Sequence, residues 1–133
     1  MQVSAYLFFY GRTEEAMKFY QSALGGELEI SLNGDSPMGA DVSAAWKDKV
    51  MHSTLRGDGF DIMGSDGREG SQQEKESNIA LCIGLSDEAH AKEVFEKLSA
   101  GGNVTMPLEK MFWGALFGQL TDKYGIDWMI NCG

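Results

Sequence analysis

A chain of 133 residues, 43% hydrophobic and 23% charged, is long enough to fold as one domain around its own core. Its formal net charge of −9 would repel a phosphate backbone, so we expect no nucleic-acid partner. Apolar runs fall short of the ~20 residues of a membrane span, and the N-terminus lacks the basic region of a secretory signal. We therefore expect a cytoplasmic protein without a membrane partner, in which Cys82 and Cys132 are buried thiols.

The first half of the chain predicts a strand, a helix and three further strands. A continuous apolar and aromatic run forms the first strand, and Thr13 is the candidate cap of a helix that ends at Gly25-Gly26. The turn Gly57-Asp58-Gly59 indicates a hairpin. The predicted strands are Ala5–Tyr10, Leu28–Leu32, Val50–Arg56 and Phe60–Gly64, with a loop at Asn33–Lys49.

The second half predicts the same order of elements after a polar linker at Ser65–Ser77. Ser86 or Asp87 caps a helix that ends at Gly101-Gly102, and the polar segment Thr121–Gly125 predicts a second hairpin. The apolar stripe of this helix consists of Ala91, Val94, Phe95 and Leu98. The predicted strands are Ile79–Leu85, Asn103–Pro107, Trp113–Thr121 and Ile126–Cys132.

The two halves are related by an internal repeat. Gly101-Gly102 follows Gly25-Gly26 by 76 residues, and Asp61-Ile62-Met63 has a counterpart in Asp127-Trp128-Met129. Repetition at a fixed offset predicts repeated architecture. We expect an α+β fold in which a βαβββ unit occurs twice within a single domain, module one at 1–68 and module two at 77–133.

Several segments resemble the vicinal oxygen chelate superfamily, which includes glyoxalase I, bleomycin-resistance proteins and extradiol dioxygenases. They are Tyr6-Leu7-Phe8-Phe9 with Glu14-Glu15-Ala16, Phe112-Trp113-Gly114, and Thr121-Asp122-Lys123 followed by Trp128-Met129-Ile130-Asn131. The last two are similar to its PhnB-like branch. The resemblance implies half-barrel sheets around a cavity and a homodimer, and it leaves open whether modules pair within or between chains.

Catalytic members of that superfamily hold a divalent metal with His and Glu side chains. Alignment on the resembling segments puts the corresponding positions at Ala5, Asn78, Met129 and Ile62, or Asp61 after a shift of one residue. Alanine, methionine and isoleucine are not ligands for a hard or borderline cation. We therefore expect the usual metal site to be missing, and we predict no cofactor.

The candidate ligand-binding residues follow from strand alternation and from the resemblance. His52 lies beside the hairpin strand that carries Asp61 and is followed by Asp66. The carboxylate of either residue would orient the His52 ring. Trp128 and Cys132 have the opposite alternation and are expected beneath a helix. The predicted site residues are Leu7, Phe9, His52, Ile62, Asn78, Cys82, Trp113, Phe117, Met129 and Asn131.

Such an apolar lining with few polar groups predicts a protein that binds a small apolar or aromatic ligand without metal. One alternative is a metal-dependent lyase or dioxygenase that uses His52 and Asp61, and another is a partner-binding module with a vestigial cavity. Some relatives are named as methyltransferases, yet the sequence has no glycine-rich nucleotide loop between a strand and a helix. Whether the protein is an enzyme is left open.

Overall fold

The computed structural model describes residues 1–35, 42–71 and 77–133. The chain divides into two compact units, Met1–Glu74 and Lys75–Gly133. Each unit has one helix and a four-stranded mixed sheet in the order βαβββ, so the predicted α+β fold with a repeated unit is confirmed. The single-domain organisation and the cavity stay predictions.

Unit one is an open sheet in the order β1-β4-β3-β2, with β1 parallel to β4 and the other pairs antiparallel. Two short 3-10 turns, Asn33–Asp35 and Ala44–Trp46, lie in the predicted loop, whose residues 36–41 fall outside the described ranges. The elements are β1 Ala5–Phe8, α1 Thr13–Leu24, β2 Glu27–Leu32, β3 Val50–Gly57 and β4 Phe60–Ser65.

The core of unit one lies between α1 and one face of this sheet. Met17 and Tyr20 on the helix and Leu55 on β3 are fully buried. Each side chain of this size contributes roughly 1.5–3 kcal/mol by leaving water. Gly64 in β4 permits close approach of the helix, because a Cβ there would lie 3.1 Å from Sδ of Met17.

Unit two repeats this architecture with the order β5-β8-β7-β6. Strand β6 continues past Pro107, where it was predicted to end; as an edge strand with a register shift between Met106 and Glu109, it tolerates the missing N–H. The elements are β5 Leu81–Leu85, α2 Glu88–Ser99, β6 Asn103–Lys110, β7 Leu116–Thr121 and β8 Asp127–Cys132.

In unit two, α2 covers one face of its sheet with the predicted apolar stripe. Leu98 and Val94 are buried on the helix, and Trp128 and Ile130 are buried on β8. Asp87 caps the helix by accepting from the backbone N–H groups of Ala89 and His90, at 2.9 and 3.4 Å, as one of the two predicted caps. Both helices have 12 residues, and no helix in the described ranges combines the length and apolarity required to cross a bilayer.

The repeated glycine pairs have the same physical role in the two units. Gly25 and Gly101 adopt positive φ values of 78° and 76° after the helices. The next glycine packs against backbone: a Cβ on Gly26 would lie 2.4 Å from the carbonyl oxygen of Arg56, and one on Gly102 would lie 2.3 Å from that of Thr121. No side chain fits at either place, which explains why the repeat is visible in the sequence.

Besides the end of β6, three strand boundaries differ from the prediction by two residues or more. The first strand ends at Phe8, because Tyr10 takes a left-handed φ of 49°. β5 begins at Leu81, two residues late. β7 begins at Leu116, because Gly114 donates its N–H to the carbonyl of Met111 in a turn.

Asp66 anchors the start of α1, although it was predicted to lie in a solvated linker with Ser65. It is 1% exposed and accepts from the backbone N–H groups of Gly11, Thr13 and Val50 at 2.8, 2.9 and 2.7 Å. The hydroxyl of Thr13 also donates to it, so Thr13 is the first helical residue rather than the cap. The linker prediction is wrong for Ser65 and Asp66, and its residues 72–76 lie outside the described ranges.

Candidate functional site

Each sheet has one face covered by its helix and an opposite face, which we call the helix-free face. Side chains alternate between the two faces with a period of two. In unit one, Gly64 and Ser53 lie on the helix side, as the contact of a Gly64 Cβ with Met17 shows. The helix-free face of unit one therefore carries the alternate residues, which include Tyr6, Phe8, His52, Thr54 and Met63 as well as the charged residues Glu29, Arg56 and Asp61.

An aromatic row runs along the edge strand β1 and beyond it. The ring centroids of Tyr6 and Phe8 are 5.3 Å apart, and those of Phe8 and Tyr10 are 6.3 Å apart. Tyr6 is 40% exposed and Phe8 48%. Tyr10 adopts a left-handed φ of 49°, and its ring lies beside that of Phe8. The aromatic row is thus extended by a residue with a strained backbone.

His52 is held between two hydroxyl groups. Its Nδ1 lies 3.0 Å from the phenol oxygen of Tyr6, and its Nε2 lies 3.1 Å from Oγ1 of Thr54. The prediction that a carboxylate orients His52 is wrong. The Asp61 carboxylate accepts from the side chains of Ser4 and Gln2, and the Asp66 carboxylate accepts from the backbone N–H of Thr13 at the start of α1. A histidine whose two nitrogens both face hydroxyls can accept at one and donate at the other in either neutral tautomer.

Three predicted site residues of unit one lie on the helix side of the sheet instead of the helix-free face. Phe9 is 6% exposed, with its ring 5.9 Å from that of Tyr20 on α1. Ile62 is 5% exposed and pairs with buried Leu55, while Leu7 pairs with Gly64. All three face α1, because they alternate with Tyr6, Phe8 and Met63.

The helix-free face of unit two is arranged as predicted. Cys82 pairs with Met129, and Phe117 pairs with Asn131, which places these four side chains on one face with Gln119. Trp128 and Cys132, 2% exposed, lie on the helix side. The strand register places Cys82 and Cys132 on opposite faces, as predicted, and both are free, but Cys82 is exposed rather than buried. Ligand binding by these residues stays a prediction.

The remaining predicted site residues lie outside the strands. Asn78 is exposed and precedes β5. Trp113 lies in the turn before β7, 53% exposed, with its ring 6.1 Å from that of Phe117. Its neighbour Phe112 is 97% exposed, which the sequence did not predict because the aromatic pattern placed the start of β7 at Trp113.

The side chains on the helix-free faces that could coordinate a metal ion include His52, Asp61 and Cys82. In the part of the chain that the structure describes, no three His, Cys, Asp or Glu residues come together as metal ligands would. The paired positions Tyr6/Met63 and Cys82/Met129 are equivalent in the two units. Of these four side chains, only the Cys82 thiolate is a common zinc ligand, whereas phenol and thioether groups are not among the thiolate, imidazole and carboxylate ligands that zinc usually takes.

The fold defines the class of protein. Solved structures of glyoxalase-related proteins share it at 18% and 11% sequence identity, each with a TM-score of 0.60, a likeness that shows the fold alone. The two βαβββ units thus place the chain among proteins with the glyoxalase/bleomycin-resistance fold.

Residues 1–131 match the family model described as 3-demethylubiquinone-9 3-methyltransferase, and the chain belongs to this family. It is 34% identical to Protein YjdN from Escherichia coli (strain K12) over 140 residues, which covers 98% of this chain and 95% of YjdN. The crystal structure of PA1353 from Pseudomonas aeruginosa is similar at 39% identity and a TM-score of 0.88, covering 99% and 97% of the two chains. A PhnB protein from Bacillus cereus, a putative 3-demethylubiquinone-9 3-methyltransferase, is similar at 27% identity and a TM-score of 0.78, covering both chains fully. The resemblance to the PhnB-like branch is confirmed.

Proposed function

We propose that this protein binds a small, largely aromatic molecule on the helix-free faces of its sheets. The observation that carries the proposal is the exposure of large aromatic side chains there: Tyr6 is 40% and Phe8 48% exposed. Aromatic rings contribute to stability by burial, so rings left exposed on a sheet face contribute little to the core. Adjacent exposed rings of this kind are typical of a binding surface.

The polar side chains beside the exposed rings carry hydroxyl, imidazole or amide groups, and the same face of unit one also carries the charged side chains of Glu29, Arg56 and Asp61. Tyr6, His52 and Thr54 provide hydroxyl and imidazole groups in unit one. In unit two, Gln119 and Asn131 provide amides between Phe117 and Met129. Exposed rings with a small number of placed polar groups beside them support recognition of an aromatic ligand.

Three other functions compete with this proposal. The first is methyl transfer, which is named in the description of the family and in that of the Bacillus cereus protein, and which requires a bound methyl donor. The second is a metal-dependent lyase or dioxygenase, which would need His52 to coordinate a cation together with Asp61, whose carboxylate already accepts from Ser4 and Gln2. The third is partner binding, which would use exposed rings such as Phe112.

A thermal-shift screen distinguishes these functions. The compounds are neutral aromatic molecules, S-adenosylmethionine, and Ni²⁺, Zn²⁺ or Mn²⁺ salts. A ligand that binds the native state raises Tm by mass action, by about 2.7 kcal/mol of stabilisation at one hundred times its Kd. We expect saturable shifts with aromatic compounds, lost in Phe8→Ala and retained in Phe112→Ala, which removes an exposed ring outside the helix-free face.

The proposal fails if no aromatic compound raises Tm, or if Phe8→Ala binds as well as the unmodified protein. A saturable shift with S-adenosylmethionine alone would favour methyl transfer, and one with a metal that His52→Ala abolishes would favour metal chemistry. We also propose a homodimer, as the resemblance implied, and a cytoplasmic location, as we expected from the sequence. Light scattering coupled to size-exclusion chromatography tests the dimer.

A further inference from the structure

We propose that Tyr6, His52 and Thr54 form a hydrogen-bond relay that recognises one hydroxyl or carbonyl group on an aromatic ligand. The inference rests on the proposed ligand-binding function and adds the chemical class of the ligand. The relay is defined by two contacts: Tyr6 Oη to His52 Nδ1 at 3.0 Å, and His52 Nε2 to Thr54 Oγ1 at 3.1 Å.

The relay crosses three strands of unit one. Tyr6 is on the edge strand β1, His52 and Thr54 are on β3, and Met63 of β4 lies between them, paired with both Tyr6 and Thr54. Since neighbouring strands are about 4.8 Å apart, the Tyr6 side chain must extend across β4 to reach His52. Its ring therefore lies over the sheet beside the imidazole, with centroids 5.6 Å apart.

The two ends of the relay differ in their access to solvent. Thr54 is 6% exposed, whereas Tyr6 is 40% exposed. The buried end fixes the orientation of the imidazole, and the open end presents a phenol oxygen with hydrogen-bonding capacity beyond the bond to His52. Because Tyr6 is also a member of the aromatic row with Phe8, a molecule stacked on that row lies within reach of this oxygen.

The relay can reverse its direction. When Nδ1 of His52 carries the proton, it donates to the Tyr6 oxygen, and the phenol O–H is then available to a ligand carbonyl. When Nε2 carries the proton, it donates to Thr54, the phenol O–H donates to Nδ1, and the Tyr6 oxygen accepts from a ligand hydroxyl. One site thus matches both an aromatic alcohol and an aromatic ketone at the cost of moving one proton between ring nitrogens. An unsubstituted hydrocarbon has neither group and gains nothing from the relay.

Calorimetric titration of the full-length protein with naphthalene, 1-naphthol and 1-acetonaphthone tests the proposal. A net hydrogen bond of about 0.5–1.5 kcal/mol corresponds to a roughly 2- to 13-fold preference for each substituted compound over naphthalene. Tyr6→Phe keeps the ring and removes the hydroxyl, so it should abolish both preferences over naphthalene. Thr54→Val, which has a similar shape, should reduce both preferences. The matched control is Tyr124→Phe, which removes a phenol hydroxyl in the turn between β7 and β8, outside the relay and the aromatic row, and should preserve both preferences.

Imidazole ¹⁵N NMR reports which His52 nitrogen carries the proton, which a purely structural role of the relay would not change on ligand binding. The chain has two histidines, so His90 at the start of α2 is an internal reference. We expect 1-naphthol and 1-acetonaphthone to shift the His52 nitrogens in opposite directions, with little effect of naphthalene and none at His90. Binding of all three compounds within twofold, or unchanged preferences in Tyr6→Phe, overturns the relay and leaves the proposed function standing. Failure of every compound to bind overturns both.

Discussion

Trp128 and Asp122 are joined by a buried hydrogen bond in which indole Nε1 donates to Oδ2 at 2.8 Å. The other carboxylate oxygen accepts from the backbone N–H groups of Tyr124 and Ile126, at 2.8 and 3.1 Å. Asp122 is 4% exposed and Trp128 2%. One carboxylate thus closes the turn between β7 and β8 and anchors the largest side chain of the core of unit two.

Replacing Asp122 by Asn should destabilise the protein by roughly 2–3 kcal/mol, because an amide nitrogen would then face a buried N–H. Urea unfolding followed by circular dichroism measures the loss. In a Trp128→Phe background the same change should cost less, since the indole donor is gone. Asp58→Asn, in the exposed turn of the first hairpin, is the control and should be within about 0.5 kcal/mol of the unmodified protein. Additive losses in the double variant would show that the Asp122–Trp128 bond is not coupled to stability.

Asp66→Asn should loosen the start of α1 more than it disturbs the rest of unit one. The carboxylate accepts from three backbone N–H groups, those of Gly11, Thr13 and Val50, and an amide oxygen cannot replace both oxygens. Hydrogen exchange monitored by NMR should show lost protection at these three amides. Asp61→Asn on β4 is the control, because the Asp61 carboxylate accepts from the side chains of Ser4 and Gln2 at the surface. Equal protection in the two variants would contradict the anchoring role.

Gly118→Ala should destabilise the protein by roughly 1–3 kcal/mol through overpacking. A Cβ at this position would lie 2.9 Å from Cα of Leu108 and 2.9 Å from the ring of Phe95, so backbone must move. Gly84→Ala is a matched control in β5 of the same unit, where no atom of the described residues lies within 4 Å of the added carbon. Chemical denaturation of both variants measures the difference. Equal losses would show that β6 and α2 pack more loosely against β7 than the structure indicates.

The ion pair of Glu88 and Lys110, 2.6 Å apart, should make a small pH-dependent contribution to the stability of unit two. The hydrogen bond to Lys110 lowers the pKa of Glu88, and the bond to Glu88 raises the pKa of Lys110. The carboxylate contribution is therefore present above the ordinary glutamate pKa and is lost as pH falls through the lowered one. The lysine contribution is present below the ordinary lysine pKa and is lost as pH rises through the raised one.

Carboxyl ¹³C NMR titration of Glu88 checks the direction of this effect. In Lys110→Met the pKa of Glu88 should return towards its ordinary value, while that of Glu93, lowered by its bond to Lys97, should stay lowered. High salt should weaken the shift, because both groups are exposed. An unchanged pKa of Glu88 in the variant would show that the pair does not form in solution.

The repeated fold was predictable from the sequence because its signals are local and physical. The glycine pairs 25–26 and 101–102 occupy equivalent positions, where a side chain would collide with the neighbouring strand. Helix boundaries also followed from local chemistry, as the cap at Asp87 shows. The role of Asp66 did not, because its donors at Gly11 and Val50 are distant in sequence and no local pattern connects them.

The helix-free face was predictable in unit two and was missed in unit one for one reason. The triplets Asp61-Ile62-Met63 and Asp127-Trp128-Met129 align Met63 with Met129, yet the strand alternation was assigned from Ile62. A register error of one residue moves a whole strand to the other face. Aligning the repeat first would have placed Tyr6, Phe8 and Met63 on the helix-free face. The hydrogen bond between Tyr6 and His52 could not be predicted from the sequence, because β4 lies between the two strands that carry these residues.

The division of each sheet into a covered and a helix-free face has an evolutionary consequence. Side chains under the helices, such as Leu55 and Trp128, carry the folding free energy, while Tyr6, Phe8 and Met129 carry little of it. If these faces bind the ligand as we propose, mutations there would change what the protein recognises without threatening its ability to fold. On that proposal, single substitutions on the helix-free faces would give related proteins different ligands on an unchanged core.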